Sequence, residues 1–481
     1  MEEQKKGMSE DWLSVWIGLF IFFVSLLAFK GVDIFGWGIK TNVWTDVSKI
    51  MTPLSKGYEG LPGVVSLLLT YLFMLIILSI GAKALGANIR RFAGSFTLVF
   101  FISYACWAIG HYAYIAATPN QLQKFGIPWA LNLTGEAGFI VALIAGLIVG
   151  NFLPGLANSM KEAIRPEWYI KTAIVILGAG LGVKGAEALG LASAVMFRGL
   201  CAIVEAYLIY WALVYFIARK YFKFSREWAA PLASGISICG VSAAIATGGA
   251  IRARPIVPIM VSSLVVIFAV VELLVLPFMA QSVLYKEPMV AGAWMGLAVK
   301  TDGAAVASGA ITDSLIRAKI LATDGINYKD GWMTMAATTV KVFIDIFIGV
   351  WAFILAIIWC TFIECKPGQK VRPGEIWDRF PKFVLGYAFT FLVLLFLCIG
   401  SADLIKPAKA VTAGGDTFRV LFFVLTFFTI GVVSNFKKLW EEGIGKLAAI
   451  YVLCLFGFII WIGLAISWIF FHGIKPPIVT G

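Results

Sequence analysis

Residues 228–255 read WAAPLASGISICGVSAAIATGGAIRARP, a stretch that lies among long apolar segments but is smaller and more polar than they are. Its four glycines allow close backbone approach or interrupt a helix, and its hydroxyl side chains would be costly against hydrocarbon. These hydroxyl residues are Ser234, Ser237, Ser242 and Thr247. A membrane protein tolerates such a segment only where it is buried in protein or lines a watery cavity. We therefore predict that the rest of the chain is organised around this stretch.

A second stretch, 299–311, repeats part of the pattern. The sequence GAAVASGAI at 303–311 parallels SAAIATGGAI at 242–251. Two matched segments that glycine interrupts are the best sequence indication of a transporter's binding site. The alternative is that small residues merely allow tight helix packing, with Arg252 and Arg254 as an ordinary interfacial flank.

The composition is that of a polytopic membrane protein. Hydrophobic residues make up 60% of the 481 residues and charged residues 14%, and the mean hydropathy is +0.90. The formal charge of +12 is compatible with nucleic-acid binding, but the Lys and Arg residues lie mostly in short connections between apolar segments. That distribution is typical of membrane topology. We therefore expect a lipid bilayer and no nucleic acid as partner.

A helix needs about 20 apolar residues to cross the hydrocarbon core, and this length predicts an all-α fold with about thirteen transmembrane segments. The predicted segments are 12–29, 64–82, 96–117, 139–153, 168–183, 195–218, 228–251, 256–280, 290–310, 332–362, 383–402, 418–433 and 444–471. Lys and Arg are in modest excess on the inner side when the N-terminus is cytoplasmic, so we expect that orientation.

The polar and glycine-rich features inside the membrane all follow a soft boundary near Asn132. Residues 1–131 are therefore predicted to be an appended N-terminal transmembrane unit, and residues 132–481 the transporter domain. A weak similarity between 176–190 and 428–443 predicts that this domain contains inverted repeats.

Broken helices in a membrane offer unpaired backbone N–H groups at the positive ends of their dipoles, which suit an anion. Arg252 and Arg254 follow the first segment and Lys300 opens the second, and these cations also favour a negatively charged substrate. We therefore predict a site for a small anion between the two segments. The predicted substrate-binding residues are Ser237, Cys239, Gly240, Ser242, Thr247, Thr301, Ser308 and Lys341.

Carboxylates inside membrane segments are costly and indicate function by default. Asp302 lies in the second broken segment, where it would need Lys300, an arginine or a coupling cation as its partner. Asp345 lies one helical turn after Lys341 and can pair with it. We predict coupling to H⁺ or Na⁺ through Asp302, Asp345, Glu205 and Glu272. A structural ion pair or hydrogen bond is the alternative for each.

Other chemistry has little support in the sequence. The GAGLG at 178–182 lacks the strand that a nucleotide-binding fingerprint needs, and it is more typical of helix packing. The seven cysteines form no CxxC pair and are interpreted as small buried hydrophobes, and His111 and His472 are isolated. We expect no metal site, no cofactor and no enzymatic activity. A membrane-embedded enzyme is the weakest alternative.

Four motifs resemble the YeiH-type family of uncharacterised bacterial membrane proteins, for which sulfate export has been proposed. They are SGISICGVSAA at 234–244, VILGAGLGV at 175–183, the small-residue segment at 301–310 and ATTVKVFID at 337–345. The resemblance covers roughly residue 132 to the C-terminus. This chain departs from the family in its extra N-terminal segments, and in Thr301 and Asp302, where a His with an acidic or polar neighbour is expected.

The resemblance implies an α-helical secondary transporter with inverted repeats, similar to the bile-acid and sodium–proton antiporter folds, in a bacterial inner (plasma) membrane. Its implied cargo is a small oxyanion or sulfonate such as sulfate or sulfite. Our first interpretation is a secondary carrier that moves this anion by an alternating-access, elevator-like mechanism. A passive anion channel, in which the broken segments form a filter, is the alternative. Both readings leave a homo-oligomer open.

Overall fold

The structure is a computed structural model. It describes residues 8–117, 121–131, 133, 135, 137–187, 189–240, 242–254, 256–363, 377, 381–434 and 445–479. Within these residues, nine helices are long and apolar enough to cross a membrane by length and composition, and three shorter helices are also apolar. This is the predicted α-helical polytopic architecture, but the count of thirteen segments is not confirmed.

The helices follow one another along the chain with few long connections. They are α1 (Glu10–Ser25), α2 (Gly63–Ala84), α3 (Ile89–Gly110), α4 (Ala113–Ala116), α5 (Leu122–Phe125), α6 (Ala137–Phe152), α7 (Pro154–Ser159), α8 (Pro166–Glu187), α9 (Leu189–Gly199), α10 (Cys201–Val204), α11 (Trp211–Lys220), α12 (Arg226–Ser237), α13 (Ser242–Ala250), α14 (Ile256–Val283), α15 (Pro288–Ala298), α16 (Asp302–Asp324), α17 (Trp332–Ile346), α18 (Ile348–Ile358), α19 (Phe383–Gly400), α20 (Ile405–Val433), α21 (Gly445–Cys454) and α22 (Ile460–Phe471). Short 3-10 helices cover Leu26–Lys30, Val47–Lys49, Lys56–Tyr58, Lys161–Ala163 and Ala402–Leu404, and π-helical turns cover Glu205–Tyr210, Trp359–Ile363 and Leu455–Ile459.

The all-α prediction missed one small sheet. Strands β1 (Ile39–Thr41) and β2 (Met51–Pro53) pair antiparallel in the connection between α1 and α2, with Ile39 opposite Pro53. The sheet is held to α2 by the Ile39 N–H, which donates to the Thr70 hydroxyl at 3.0 Å. Strands of three residues carry too short a pattern of alternating side chains to be recognised in a sequence.

The chain forms two compact units, and the first comprises Met1–Ala192 and Lys382–Val433. Its central helix is α8, which packs against α1, α19 and α20. Gly178 and Gly182 of the GAGLG motif lie against α19, where an added Cβ would collide with Thr390 and with the Phe391 carbonyl. The motif therefore serves helix packing, as predicted. The predicted boundary near Asn132 lies outside the described residues, and the division into 1–131 and 132–481 stays a prediction.

The second unit comprises Ser193–Pro381 and Ser434–Gly481. It contains both glycine-rich stretches, and each of them is broken. The first divides into α12 and α13, and the second into α15 and α16. The predicted segments 228–251 and 290–310 are therefore each divided, as expected of glycine-interrupted stretches. The break at 299–301 arises because Thr301 has an extended backbone and caps α16, with its hydroxyl accepting from the Ala304 N–H at 3.3 Å.

Helix α17 packs closely on α16 because Gly309 leaves room for it. A Cβ at Gly309 would lie 2.5 Å from the Cβ of Ala337. The start of α17 is fixed by Asp313 of α16, whose carboxylate accepts from the N–H groups of Gly331 and Met333 at 3.1 and 2.9 Å. Since Lys341 lies one turn after Ala337, these contacts set its position beside the second break.

Candidate functional site

The two broken helices meet at one backbone hydrogen bond. The Gly240 N–H in the first break donates to the Lys300 carbonyl in the second at 2.6 Å. A Cβ at Gly240 would overlap Val265 of α14 and lie 3.3 Å from that carbonyl. Glycine is therefore required for this approach. We call residues 238–240 and 299–301 the helix crossing.

Four buried side chains form an ionic cluster at the helix crossing, which we call the Lys341 cluster: Cys239, Asp302, Lys341 and Asp345. The Lys341 Nζ lies 3.4 Å from the Asp302 Oδ1 and 3.3 Å from the Asp345 Oδ1. The Cys239 thiol donates to the Asp302 Oδ1 at 2.8 Å. All four residues are at most 2% exposed. The predicted pairing of Lys341 with Asp345 is thereby confirmed.

The partner of Asp302 differs from the expected one. Its ion pair is with Lys341 of α17, whereas the ammonium group of the nearby Lys300 donates to the Leu297 carbonyl and lies 4.5 Å from the centre of the Tyr210 ring. Lys300 precedes the cap of α16 and Asp302 begins the helix, so the two side chains leave the backbone in different directions. Two carboxylates and one ammonium give the Lys341 cluster a net charge of −1 when all three are ionised.

A second group of buried polar residues surrounds Lys300. Glu272 of α14 accepts from the Lys300 N–H at 3.0 Å, and its other oxygen lies 3.4 Å from the Tyr451 hydroxyl. Glu205 is fully buried next to Tyr210, and a Cβ at Gly463 would contact both of them. We call Glu205, Tyr210, Glu272, Lys300 and Tyr451 the Lys300 cluster. It brings together two of the predicted coupling carboxylates.

The charged side chains also close the two breaks reciprocally. Lys341, on the long helix after the second broken helix, donates to the Ile238 carbonyl in the first break at 2.7 Å. Glu272, on the long helix after the first broken helix, accepts from the Lys300 N–H in the second break. Backbone groups at a break lose their helical partners and are costly when buried. In each break a charged side chain satisfies the backbone group: the Lys341 ammonium donates to a carbonyl, and the Glu272 carboxylate accepts from an N–H.

Some of the predicted hydroxyl residues have hydrogen-bond partners in the protein, and others have none among the described residues. The hydroxyl oxygens of Ser237 and Ser308 are fully buried and have no hydrogen-bond partner among the residues that the structure describes. The Thr247 hydroxyl donates to the Ser234 hydroxyl at 2.7 Å, which also accepts from the Trp211 indole at 2.9 Å. The side chain of Ser242 lies outside the described ones.

The arginines after the first segment lie on the surface. Arg254 is exposed and forms a bidentate pair with Glu227, with distances of 2.9 and 3.1 Å. The hydrogen bond from the Arg254 side chain lowers the pKa of the Glu227 carboxyl below its ordinary value. Arg252 is also exposed and has a left-handed backbone with φ of 55° just after α13. The charge of Arg254 is thus paired with Glu227, and that of Arg252 is exposed on the surface.

Sequence reasoning missed one grouping. Ligand atoms of Cys239, Asp302 and Asp345 all lie within 4.8 Å of one another. The expectation of small buried cysteines holds for Cys239, which is 2% exposed, but its thiol also donates to the Asp302 carboxylate. Cys239 and Asp302 are 63 residues apart, so their contact leaves no local pattern. The Lys341 Nζ lies beside this grouping, 3.4 Å from the Asp302 Oδ1 and 3.3 Å from the Asp345 Oδ1.

Tyrosines were also missed. Tyr210 and Tyr451 belong to the Lys300 cluster, and the Tyr207 hydroxyl donates to the Ile344 carbonyl at 2.5 Å. The signal available in the sequence was a tyrosine in the middle of an apolar segment rather than at its end, where interfacial tyrosines are typical. Glu205 and Tyr210 also begin and end a π-helical turn, a feature frequent at functional sites.

Comparisons with known proteins agree with this architecture. The model of a family described as conserved hypothetical protein 698 matches residues 126–450. A UPF0324 membrane protein of Nitrosomonas europaea is 42% identical over 475 residues, which cover 98% of this chain and 97% of that protein. A UPF0324 membrane protein of Nitratidesulfovibrio vulgaris is 30% identical over 421 residues, covering 86% of this chain and 66% of that protein. A UPF0324 membrane protein of Streptococcus agalactiae is 27% identical over 352 residues, covering 72% and 92%. No solved structure matches the chain.

Proposed function

Because the chain belongs to the family of conserved hypothetical protein 698, which includes the YeiH-type membrane proteins, we propose that it is a secondary active transporter of a small anion. The observation that carries the proposal is the helix crossing, where two broken helices meet at the hydrogen bond between Gly240 and Lys300. Irregular backbone is tolerated at membrane depth only where it is buried in protein or lines a cavity, and in transporters such broken helices typically form the substrate and ion sites. The substrate is bound there and carried across by alternating access.

The substrate is an oxyanion such as sulfate, sulfite or a sulfonate. Ser237 and Ser308 support this choice, because their buried hydroxyls have no partner among the described residues and would be costly without one. Helices α13 and α16 begin directly after the two breaks, so their first N–H groups and positive dipole ends add donors for an anion. A tetrahedral oxyanion accepts hydrogen bonds from several such directions at once.

The Lys341 cluster supplies the coupling. Asp302 and Asp345 both lie within 3.4 Å of one ammonium group at the helix crossing, so an ion bound by the carboxylates changes the charge that a substrate meets. Glu205 and Glu272 form the second pair of carboxylates around Lys300. We place the protein in a bacterial inner membrane with its N-terminus in the cytoplasm.

The test is a flux assay in proteoliposomes after a thermal-shift screen of the purified protein. The screen uses sulfate, sulfite, methanesulfonate, bicarbonate and simple carboxylates. A labelled anion that gives a shift should show saturable exchange. Ser237→Ala and Ser308→Ala should each weaken its affinity by about 5- to 100-fold, the loss expected when a buried hydrogen bond to a charged ligand is removed.

Ser467→Ala is the matched control, because Ser467 is also fully buried with no hydrogen-bond partner in the described part of the chain but lies on α22, outside both breaks. Its affinity should equal that of the unmodified protein. Equal loss in all three variants, or currents of single channels in place of saturable exchange, would rule out a carrier site at the helix crossing.

A further inference from the structure

We propose that anion and proton bind to the helix crossing together, because one proton held between Asp302 and Asp345 releases Lys341 to hold the anion. The protein would then be a proton–anion symporter that does not need sodium. This inference rests on the proposed function and names its coupling ion.

In this structure the Lys341 ammonium interacts with three groups of the protein itself. It donates to the Ile238 carbonyl at 2.7 Å, and its Nζ forms ion pairs with the carboxylates of Asp302 and Asp345 at 3.4 and 3.3 Å. With both carboxylates ionised the cluster carries a net charge of −1 and repels an anion. One added proton makes the cluster neutral and removes one of the two negative charges that attract the ammonium. The same group then becomes available to the substrate.

The other groups around the carboxylates do not take this role. The Cys239 thiol donates to Asp302, and the Tyr207 hydroxyl donates to the Ile344 carbonyl on the helix that carries Asp345. On the far side of the helix crossing, the Lys300 ammonium donates to the Leu297 carbonyl, and Glu272 accepts from the Lys300 N–H. Among the residues that the structure describes, Lys341 is therefore the cation whose charge the two carboxylates share.

Sodium fits the cluster poorly. Among the described Cys, Asp and Glu side chains, the ligand atoms that the cluster offers are one thiol sulfur and the oxygens of two carboxylates, which lie within 4.8 Å of one another. A hard cation prefers oxygen ligands to a thiol. It would also lie beside the Lys341 ammonium, which is 3.3 Å from the nearest Asp345 oxygen, and the two positive charges would repel each other in a buried setting. A proton needs no coordination shell and adds no second cation to that space.

Linked binding has a measurable signature. If one proton accompanies each anion, the apparent affinity for the anion falls about tenfold per pH unit above the titration of the carboxylate pair. Asp345→Asn removes one negative charge permanently, as protonation does. It should fix the affinity near its low-pH value and abolish proton movement, while saturable anion exchange persists.

The experiment uses proteoliposomes that contain a pH-sensitive dye, with sulfate and methanesulfonate as probes in sodium-free choline buffer. An inward gradient of the transported anion should acidify the lumen. Asp345→Asn should exchange anion without acidification. Asp416→Asn is the control, because Asp416 is an exposed carboxylate in the first unit, paired with Arg419; this variant should acidify like the unmodified protein.

The outcomes separate the two proposals. Saturable anion flux without acidification, or flux that requires sodium, overturns the proton coupling and leaves the transporter in place. Absence of saturable flux for every probe overturns both. If Asp345→Asn does not fold, calorimetry on the unmodified protein in buffers of different ionisation enthalpy decides. Uptake of about one proton per bound anion supports the inference, and uptake of none overturns it.

Discussion

The ammonium group of Lys341 donates to the backbone carbonyl of Ile238, 103 residues earlier in the chain, across 2.7 Å. The contact joins a side chain of α17 to the first residue of the first break. The same nitrogen lies within 3.4 Å of two buried carboxylates. One side chain therefore satisfies an orphan carbonyl and two negative charges, and removing it exposes all three.

We expect Lys341→Met to lower the free energy of unfolding by about 3–5 kcal/mol, because breaking a buried ion pair leaves an uncompensated charge. Asp345→Asn in the same chain should recover part of this loss. The measurement is a double-mutant cycle by thermal denaturation in detergent. Lys319→Met is the control, since the Lys319 ammonium donates to the Gln281 carbonyl at 3.0 Å, and we expect it to cost only about 1 kcal/mol. Equal losses of unfolding free energy at Lys341 and Lys319 would contradict a stabilising role of the buried ion pairs.

Gly240 should tolerate a side chain only if Val265 becomes smaller. A Cβ there overlaps Val265, so Gly240→Ala should cost about 1–3 kcal/mol of unfolding free energy and impair anion flux. Adding Val265→Ala should cost less than the sum of the two single changes. Gly180→Ala is the control, because an added Cβ there meets nothing within 4 Å among the residues that the structure covers. Strictly additive losses would show that the clash is not the cause.

Thr247 should act on stability rather than on affinity. Its hydroxyl is already bound to Ser234, so Thr247→Val should cost about 1 kcal/mol and leave the affinity for the anion unchanged. Thr247→Ser keeps the hydroxyl and should behave more like the unmodified protein. The measurements are thermal denaturation and anion titration on the same samples. A large loss of affinity at unchanged stability would instead place Thr247 in contact with the substrate.

The pair of Glu227 and Arg254 should give the protein a small acid-sensitive stability. The Arg254 hydrogen bond lowers the pKa of Glu227 in the folded state, so its contribution is present above the unfolded value of about 4.3 and is lost as pH falls through the folded value. Arg254→Gln should therefore lower Tm at pH 6 but not at pH 3. High salt should reduce the difference, because the pair is exposed. A difference that grows toward low pH would be the wrong sign.

The sequence predicted the long helices well because their apolar length is a local property. The predicted segments 256–280 and 332–362 lie within helical segments at Ile256–Val283 and Trp332–Ile363. It was less successful where charged residues lie inside a helix. The segment predicted at 418–433 begins at Ile405 in the structure, because α20 includes a charged first half that hydropathy excludes.

The candidate site was predictable in its residue types but not in its pairing. The glycines and hydroxyls of both broken stretches, and the spacing of Lys341 and Asp345, are visible along the chain. The partner of Asp302 is not, because Lys300 and Lys341 are both plausible and only the packing of α17 on α16 decides between them. The role of Cys239 and the position of Glu272 at the second break likewise depend on contacts between distant helices.

The reciprocal closure of the two breaks has a consequence for biogenesis. The ribosome makes the chain from the N-terminus at about 5–20 residues per second, so Lys341 emerges about 5–20 s after Ile238, from which it is 103 residues away. The acceptor for Gly240, the Lys300 carbonyl, also emerges later. The first broken helix thus enters the insertion machinery before the hydrogen-bond partners of its Ile238 carbonyl and Gly240 N–H have been made. Its final placement in the lipid waits for the second half of the nascent chain.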